Sequence, residues 1–356
     1  MAITYHAGRR IQGTAADRAE VPSVSGGWKL LDRTTLGSAG DTISVSSLPD
    51  KRYYMILGHI KNTGGDTVSH VRANSDSSGN YALRRSKNGL SQLTETGTNR
   101  FFTSHNSKSI DSRFIQGYIA NKSDEEKLGI FHVNENPSTG ASAPSRIEGV
   151  GKHVQTSSAL NELQLFNDEA GSFDSGGELV VLGYDPDDTH TDNFWEELAD
   201  VSGSGTSFNT GTFTSKKYLW IQCWYKATGG GLNVGLQVGN NTISSNSGDY
   251  TYRTNQNGSS DSTSTTANNI VLDSATTDSG ETGFANIFVV NNSSDEKLFI
   301  ISQMSVVATG NTAPNRRETV AKFVNTSNQI NIVGLYDAGT GGNFTTSSFI
   351  KVWGSN

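Results

Sequence analysis

The sequence predicts an all-β protein: two tandem β-sandwich domains of jelly-roll type arising from an internal duplication, preceded by an extended N-terminal arm. Three observations lead there. The chain repeats itself in order, its apolar residues follow the strand period, and its composition is that of short strands joined by polar turns. Of 356 residues, 45 are Ser, 36 Thr, 31 Asn and 39 Gly, about 42% together, whereas 33% are hydrophobic and 18% charged. Disordered chains combine low hydrophobicity with high net charge, so this low charge points to a folded chain with a thin core.

The repeat is colinear. Leu48–Ile56 matches Phe213–Ile221, sharing Lys/Arg-Tyr before an apolar run, at an offset of 165 residues. Gly79-Asn-Tyr81 with Arg84 matches Gly248-Asp-Tyr250 with Arg253 at 169. Asn121–Leu128 matches Asn291–Leu298, and Thr139-Gly140 through Ala143-Pro144 and Arg146 matches Thr309-Gly310 through Ala313-Pro314 and Arg316, both at 170. Phe173–Gly183 matches Phe344–Gly354. Repeats on this scale mean one unit used more than once.

Taken in chain order, residues 1–25 belong to neither copy and read as a docking arm, with Tyr5, His6, Arg9, Arg10 and Ile11 as its contact residues. Residues 26–184 form the first sandwich and 185–193 the linker, where Pro186 restricts the backbone. Residues 194–356 form the second sandwich. Tyr218-Leu-Trp-Ile-Gln-Cys-Trp-Tyr225 is aromatic and β-rich, and Leu163 with Leu165 and Ile330 with Ile332 alternate with polar residues, the period of a strand with one buried face. Clusters such as Asn62-Thr-Gly-Gly65 and Thr228-Gly-Gly-Gly231 read as turns. About eight strands per copy are expected, and only Asp192–Asp200 reads as a helix.

A net charge of −7 argues against broad nonspecific nucleic-acid binding, which needs clustered Lys and Arg. No apolar run approaches the roughly 18 residues of a membrane span, and Met1–Arg18 lacks the apolar core of a signal peptide. The expectation is a protein made in a cytoplasm, with no membrane insertion. Cys223 is the single cysteine, so no internal disulfide forms.

Candidate chemistry is weighed against plain structural roles. Asp124-Glu-Glu-Lys127 and Asp295-Glu-Lys297 suit acid/base work or Ca²⁺, but they precede apolar strands and read as solvated hairpins; no facing carboxylate is evident. The linker acids Asp185, Asp187, Asp188 and Asp192 resemble a Ca²⁺ loop in their density of oxygen ligands, but they lack the glycine and final Glu of an EF-hand loop and read as an ordinary acidic linker. His59, His132 and His153 correspond to Trp224, Ser302 and Phe323 in the other copy, which suggests packing positions. The Gly229–Gly235 stretch lies between strands and reads as a hairpin rather than a phosphate cradle. Sequons at Asn121, Asn240, Asn257, Asn291, Asn325 and Asn343 follow from abundant Asn and Ser. No catalytic constellation, cofactor or metal site is expected.

Arg84 with Arg253, and Arg146 with Arg316, recur in both copies. Each guanidinium is expected to bind turn carbonyls or a carboxylate at a sheet edge, the competing reading being a contact to a neighbouring subunit. Tyr81, Tyr250 and Tyr252 are candidate stacking surfaces for a glycan, although alternation would place half of them in the core.

The opening Met-Ala-Ile-Thr-Tyr5-His-Ala-Gly-Arg-Arg-Ile-Gln-Gly13, the stretch Thr35-Leu-Gly-Ser-Ala-Gly-Asp-Thr-Ile-Ser-Val and the Ala-Pro-x-Arg element resemble virion structural proteins of environmental, often marine, tailed viruses. The resemblance implies a β-sandwich shell or appendage component present in many copies in the virion. Its partners would be other virion proteins and copies of itself. A subunit of a capsid surface or tail appendage is the leading expectation, with symmetric multimers. A carbohydrate-binding module recognising host surface glycans is the alternative, and a polysaccharide depolymerase ranks third.

Overall fold

The computed structural model describes residues 27–90, 92–104, 112–121, 124–186, 188, 193–230, 232–277, 282–306, 313–339 and 341–356; the arm residues Tyr5, His6, Arg9, Arg10 and Ile11 lie outside them, as do Asp187 and Asp192. The described residues are all-β, with no helix.

The first half contains β1 (Lys29–Thr35), β2 (Thr42–Ser46), β3 (Tyr53–Thr63), β4 (His70–Ala73), β5 (Tyr81–Lys87), β6 (Leu93–Thr98), β7 (Phe102–Thr103), β8 (Ser112–Ala120), β9 (Lys127–Asn136), β10 (Ser145–His153), β11 (Glu162–Phe166), β12 (Ser172–Phe173) and β13 (Glu178–Tyr184). The second contains β14 (Glu196–Gly205), β15 (Ser207–Asn209), β16 (Tyr218–Thr228), β17 (Leu232–Asn240), β18 (Thr242–Ile243), β19 (Tyr250–Gln256), β20 (Ser262–Ala267), β21 (Ile270–Thr277), β22 (Thr282–Val290), β23 (Lys297–Ser305), β24 (Asn315–Phe323), β25 (Ile332–Asp337) and β26 (Asn343–Ser355).

Each half folds as two antiparallel sheets. The large sheets run β1-β13-β3-β8-β9-β10-β5-β6 and β14-β26-β16-β22-β23-β24-β19-β20; the small ones run β2-β11-β4-β7 and β15-β25-β17, with β18 and β21 also pairing β17. The two halves therefore share one pairing order. In each, the chain crosses back and forth between sheets so that β1-β13-β3-β8 faces β2-β11-β4-β7, the interleaving of an eight-strand jelly roll. More strands form than the eight expected per half, because two hairpins extend each large sheet, β5-β6 and β9-β10 in the first half and β19-β20 and β23-β24 in the second, and the short strands β12 and β18 are added.

Corresponding residues do corresponding work. The Tyr81 hydroxyl donates to Ala73 O at 2.9 Å and the Tyr250 hydroxyl to Val238 O at 2.9 Å. Tyr81 stacks on His153 with ring centroids 4.3 Å apart, and Tyr250 on Phe323 at 5.3 Å. The buried amides of Asn121 and Asn291, both within sequons, clamp loops: Asn121 donates to Lys51 O and Asn291 to Lys216 O, each at 2.9 Å. At Gly151 the fit is closest, since an added Cβ would stand 1.8 Å from Phe101 O.

Over 193–200, the described part of the Asp192–Asp200 segment that the sequence left open to a helix, none forms. Glu196–Gly205 is instead β14, paired with β26 from Glu196 opposite Gly354 to Val201 opposite Ile350. A helix this short is marginal in water, whereas the open edge of β26 supplies a full ladder of hydrogen bonds. Just before it, Phe194 and Trp195 are buried and anchor the end of the segment read as a linker.

Each sandwich has its own core, around Ile56, Phe131 and Leu165 in the first half and around Ile221, Leu236 and Ile287 in the second. A third core lies between them. Met55, Leu57, Phe114, Val180 and Leu182 of the first large sheet pack with Phe288, Val290, Leu298, Ile300 and Val320 of the second. The large sheets thus meet face to face in a four-layer stack, small-large-large-small. The thin composition is offset by this sharing, since one apolar face per large sheet covers the other.

Candidate functional site

The richest side-chain chemistry lies around the rim of the core between the halves, on residues delivered by the large sheets. Alternation puts Asn134 and Asn136 on the outer face of β9, and Arg146 and Glu148 on that of β10. Asn134 Nδ2 crosses to the second half and donates to Phe299 O at 2.9 Å and Ala321 O at 2.7 Å. Beside it, Lys322 Nζ donates to Asn136 Oδ1 at 3.0 Å, Ser138 O at 2.6 Å and Glu296 Oε2 at 3.0 Å. Glu296 also accepts from Asn136 Nδ2 at 2.8 Å and from Gly140 N at 2.6 Å. Lys322 and Glu296 are 0% and 2% exposed, a fully desolvated pair tolerated because neighbouring donors and acceptors replace water.

Further bonds join the halves elsewhere on the rim. Glu178 accepts from Lys217 Nζ at 2.7 Å and the Tyr218 hydroxyl at 2.8 Å, and Lys61 pairs with Asp295 at 2.6 Å. His59 accepts from Asn292 Nδ2 at 3.0 Å; burial drives its pKa down to about 4, leaving the ring neutral.

At the other end of the rim, Arg146 binds Glu148, Glu318 Oε2 at 3.1 Å and Asp261 Oδ1 at 2.9 Å. Glu148 and Glu318 occupy corresponding positions of the two halves and are hydrogen-bonded to each other. Burial, then that hydrogen bond, pushes Glu148 up to about 7, with Arg146 pulling the other way. Below that value the two carboxyls hold one proton between them, because ionising both sets like charges against each other. A cavity of about 250 Å³ opens over the pair, lined by Arg84, Ile130, His132, Val150 and Arg316 among others. Burial also lowers the pKa of His132. Chemically the arrangement can take up or release a proton near neutral pH at the junction of the halves.

The structure distributes the sequence candidates as follows. Arg146 reaches carboxylates of both halves, and Arg253 Nε donates to the turn carbonyl of Pro144 at 2.9 Å. Arg316 stands 3.6 Å from Glu318 and is mostly exposed, while Arg84 donates to Gln92 Oε1 at 3.1 Å at the surface. Two of the four therefore join the halves rather than only holding a sheet edge. The glycan assignment of Tyr81 and Tyr250 is corrected: they are 1% and 0% exposed, with rings inside the sandwich cores. Tyr252 is half-buried against the second core. Of the linker acids, Asp187 and Asp192 lie outside the described residues, while Asp188 is paired with Lys51 and its amide donates to Asp185 O at 3.0 Å. Among the described residues no group of three or more His, Cys, Asp or Glu is placed to hold a metal ion.

Sequence reasoning missed Glu148 with Glu318, and it read Asp295-Glu-Lys297 as a solvated hairpin, whereas Glu296 and Lys297 are buried and Glu296 pairs with Lys322. A usable signal existed for the first pair: Arg-x-Glu recurs as Arg146-Ile-Glu148 and Arg316-Arg-Glu318.

No family model matches the chain, and no curated protein does either. Among solved structures, the chain aligns with the arabinofuranosyltransferase AftD from Mycobacteria at 8% identity, over 92% of this chain and 33% of that one, with a TM-score of 0.13. It aligns with a FadL homologue of Pseudomonas aeruginosa at 10% identity, over 92% of this chain and all of that one, with a TM-score of 0.11. The chain spans about a third of the transferase, and likenesses this weak carry no argument. Fold and rim together define the class instead: a β protein of two jelly-roll sandwiches joined through their large sheets.

Proposed function

We propose that this chain is a non-enzymatic structural protein of a tailed virus, a capsid-surface or tail-appendage subunit assembled in many copies in the virion. On this reading it consists of two copies of one domain, residues 26–184 and 194–356, joined by residues 185–193 and tethered through an arm at residues 1–25. The observation that carries the reading is the face-to-face packing of the two large sheets, which puts Met55, Leu57 and Phe114 in one buried cluster with Phe288, Leu298 and Ile300, ringed by cross-half bonds such as Lys322 to Asn136 and Lys217 to Glu178. A block so cross-braced resists deformation, which suits a subunit that bears load. The shared pairing order of the sheets supports the two-copy reading, and the sequence resemblance supports the viral one.

The test is detection in particles. Peptides of this chain in purified virions, with antibody label at a repeated position on their surface in electron micrographs, is the expected result. Particles that contain none of it overturn the assignment. Cleavage of a polysaccharide by the purified chain would replace it with an enzymatic one.

A further inference from the structure

The outer face of the first large sheet is covered unevenly. Leu128, Ile130 and Val150 stand on it at 55%, 52% and 50% exposure, and Tyr53 at 40%. Their aliphatic counterparts in the second half, Leu298, Ile300 and Val320, are 0%, 4% and 2% exposed, sealed in the core between the halves. The exposed residues form one patch, because residues directly opposite on neighbouring strands share a face. Val150 is opposite Ile130, Ile130 is opposite Tyr118, Leu128 is opposite Ala120, and Ala120 is opposite Tyr53. A contiguous apolar surface on so polar a chain marks an interaction site.

The start of the described chain indicates what covers it. Trp28 packs against Tyr118 and Tyr184, with ring centroids 5.9 and 6.0 Å apart, and Tyr184 stacks on Tyr53 at 6.2 Å. Residues 1–26 therefore join the molecule at the edge of the patch, next to the strand that carries Ile130. Extended, 26 residues reach up to about 90 Å, whereas the patch crosses four strands, about 15 Å. The segment also carries matching side chains: Ile3, Tyr5 and Ala7 fall at alternate positions, one face of an extended chain, and Ile11 follows.

We propose that residues 1–26 are the occupant, lying across the face formed by Tyr53, Leu128, Ile130 and Val150 and burying Ile3, Tyr5 and Ile11 there. The proposal rests on the reading of residues 1–25 as an assembly arm and adds the surface that the arm meets.

Two measurements on the full chain test it. Trypsin can cut the segment at Arg9, Arg10 and Arg18. Under native conditions Ile130→Lys with Val150→Lys raises the rate of those cuts at least tenfold, and Leu90→Lys, a change at an exposed turn, leaves it unaltered. Equal rates in all three, with melting temperatures confirming folded protein, overturn the proposal. The second measurement pairs Tyr5→Cys with Ile130→Cys, and Ile11→Cys with Val150→Cys, under mild oxidation; buried Cys223 stays silent. A disulfide within one chain or between two chains places the segment on the face. The within-chain product removes subunit tethering from the functional reading above, and the between-chain product supports it. No disulfide from either pair overturns the docking site, as does a dimer that Ile130→Lys dissolves without any change in arm cleavage.

Discussion

Glu148 and Glu318, at corresponding positions of the two halves, meet across the junction and share a proton, with Arg146 bound to both. Because the folded state holds the Glu148 proton more tightly than the unfolded chain does, folding takes up a proton between the ordinary carboxyl value of 4.5 and about 7. The contribution of this site to stability is full below that window and falls as pH rises through it. Glu148→Gln keeps a hydrogen bond to Glu318 without the titration. Its melting temperature should exceed that of the wild type at pH 8 and match it near pH 5, and a Glu148→Gln curve that still falls in step with the wild type would refute the shared proton.

Lys322 and Glu296 are both desolvated, so each depends on the other. Lys322→Met leaves Glu296 with amide donors only, and the cost should be about 3 to 5 kcal/mol. Glu296→Gln alone costs a similar amount, and the double variant should recover a substantial part. Urea unfolding of the four proteins measures the coupling, with simple additivity as the failing outcome.

Tyr250 works from inside the core. Tyr250→Phe removes bonds to Val238 and Ser244 and should cost about 1 kcal/mol; Tyr250→Ala adds a cavity and should cost about 3 to 5 kcal/mol. Loss of glycan binding in Tyr250→Phe with unchanged stability would restore the glycan assignment that burial removes.

Cys223 is buried, and burial pushes its thiol up to about 12. Thiol reagents at pH 8 should label it at the rate of unfolding in the native protein and within seconds in guanidinium. Immediate labelling of native protein would contradict the packing of β16.

Much of this architecture is legible in the residues themselves. The alternation in Tyr218–Tyr225 marks β16, and the turn acids Asp124 and Asp295 precede β9 and β23 as expected, since turn chemistry and alternation are local properties. Asp192–Asp200 misled because an acidic, Leu-containing run has helix propensity, and only the open edge of β26, distant in sequence, makes it a strand. Alternation placed half of Tyr81, Tyr250 and Tyr252 in the core without saying which; the hydroxyls of Tyr81 and Tyr250 are satisfied by backbone groups from another strand, which no local pattern reveals. Glu148 was passed over for the same reason, as its partner is 170 residues away.

The sequence by itself determined the β class and, in the alternating runs, which side chains share a face, because a period of two is imposed by the backbone of each strand. Only the tertiary structure decided which faces are covered. Ile130 and Ile300 sit in the same local pattern on corresponding strands, yet one is 52% and the other 4% exposed. Burial of an outer face is set by the sheet that lands on it, and that is a property of the packing of the two halves rather than of either strand.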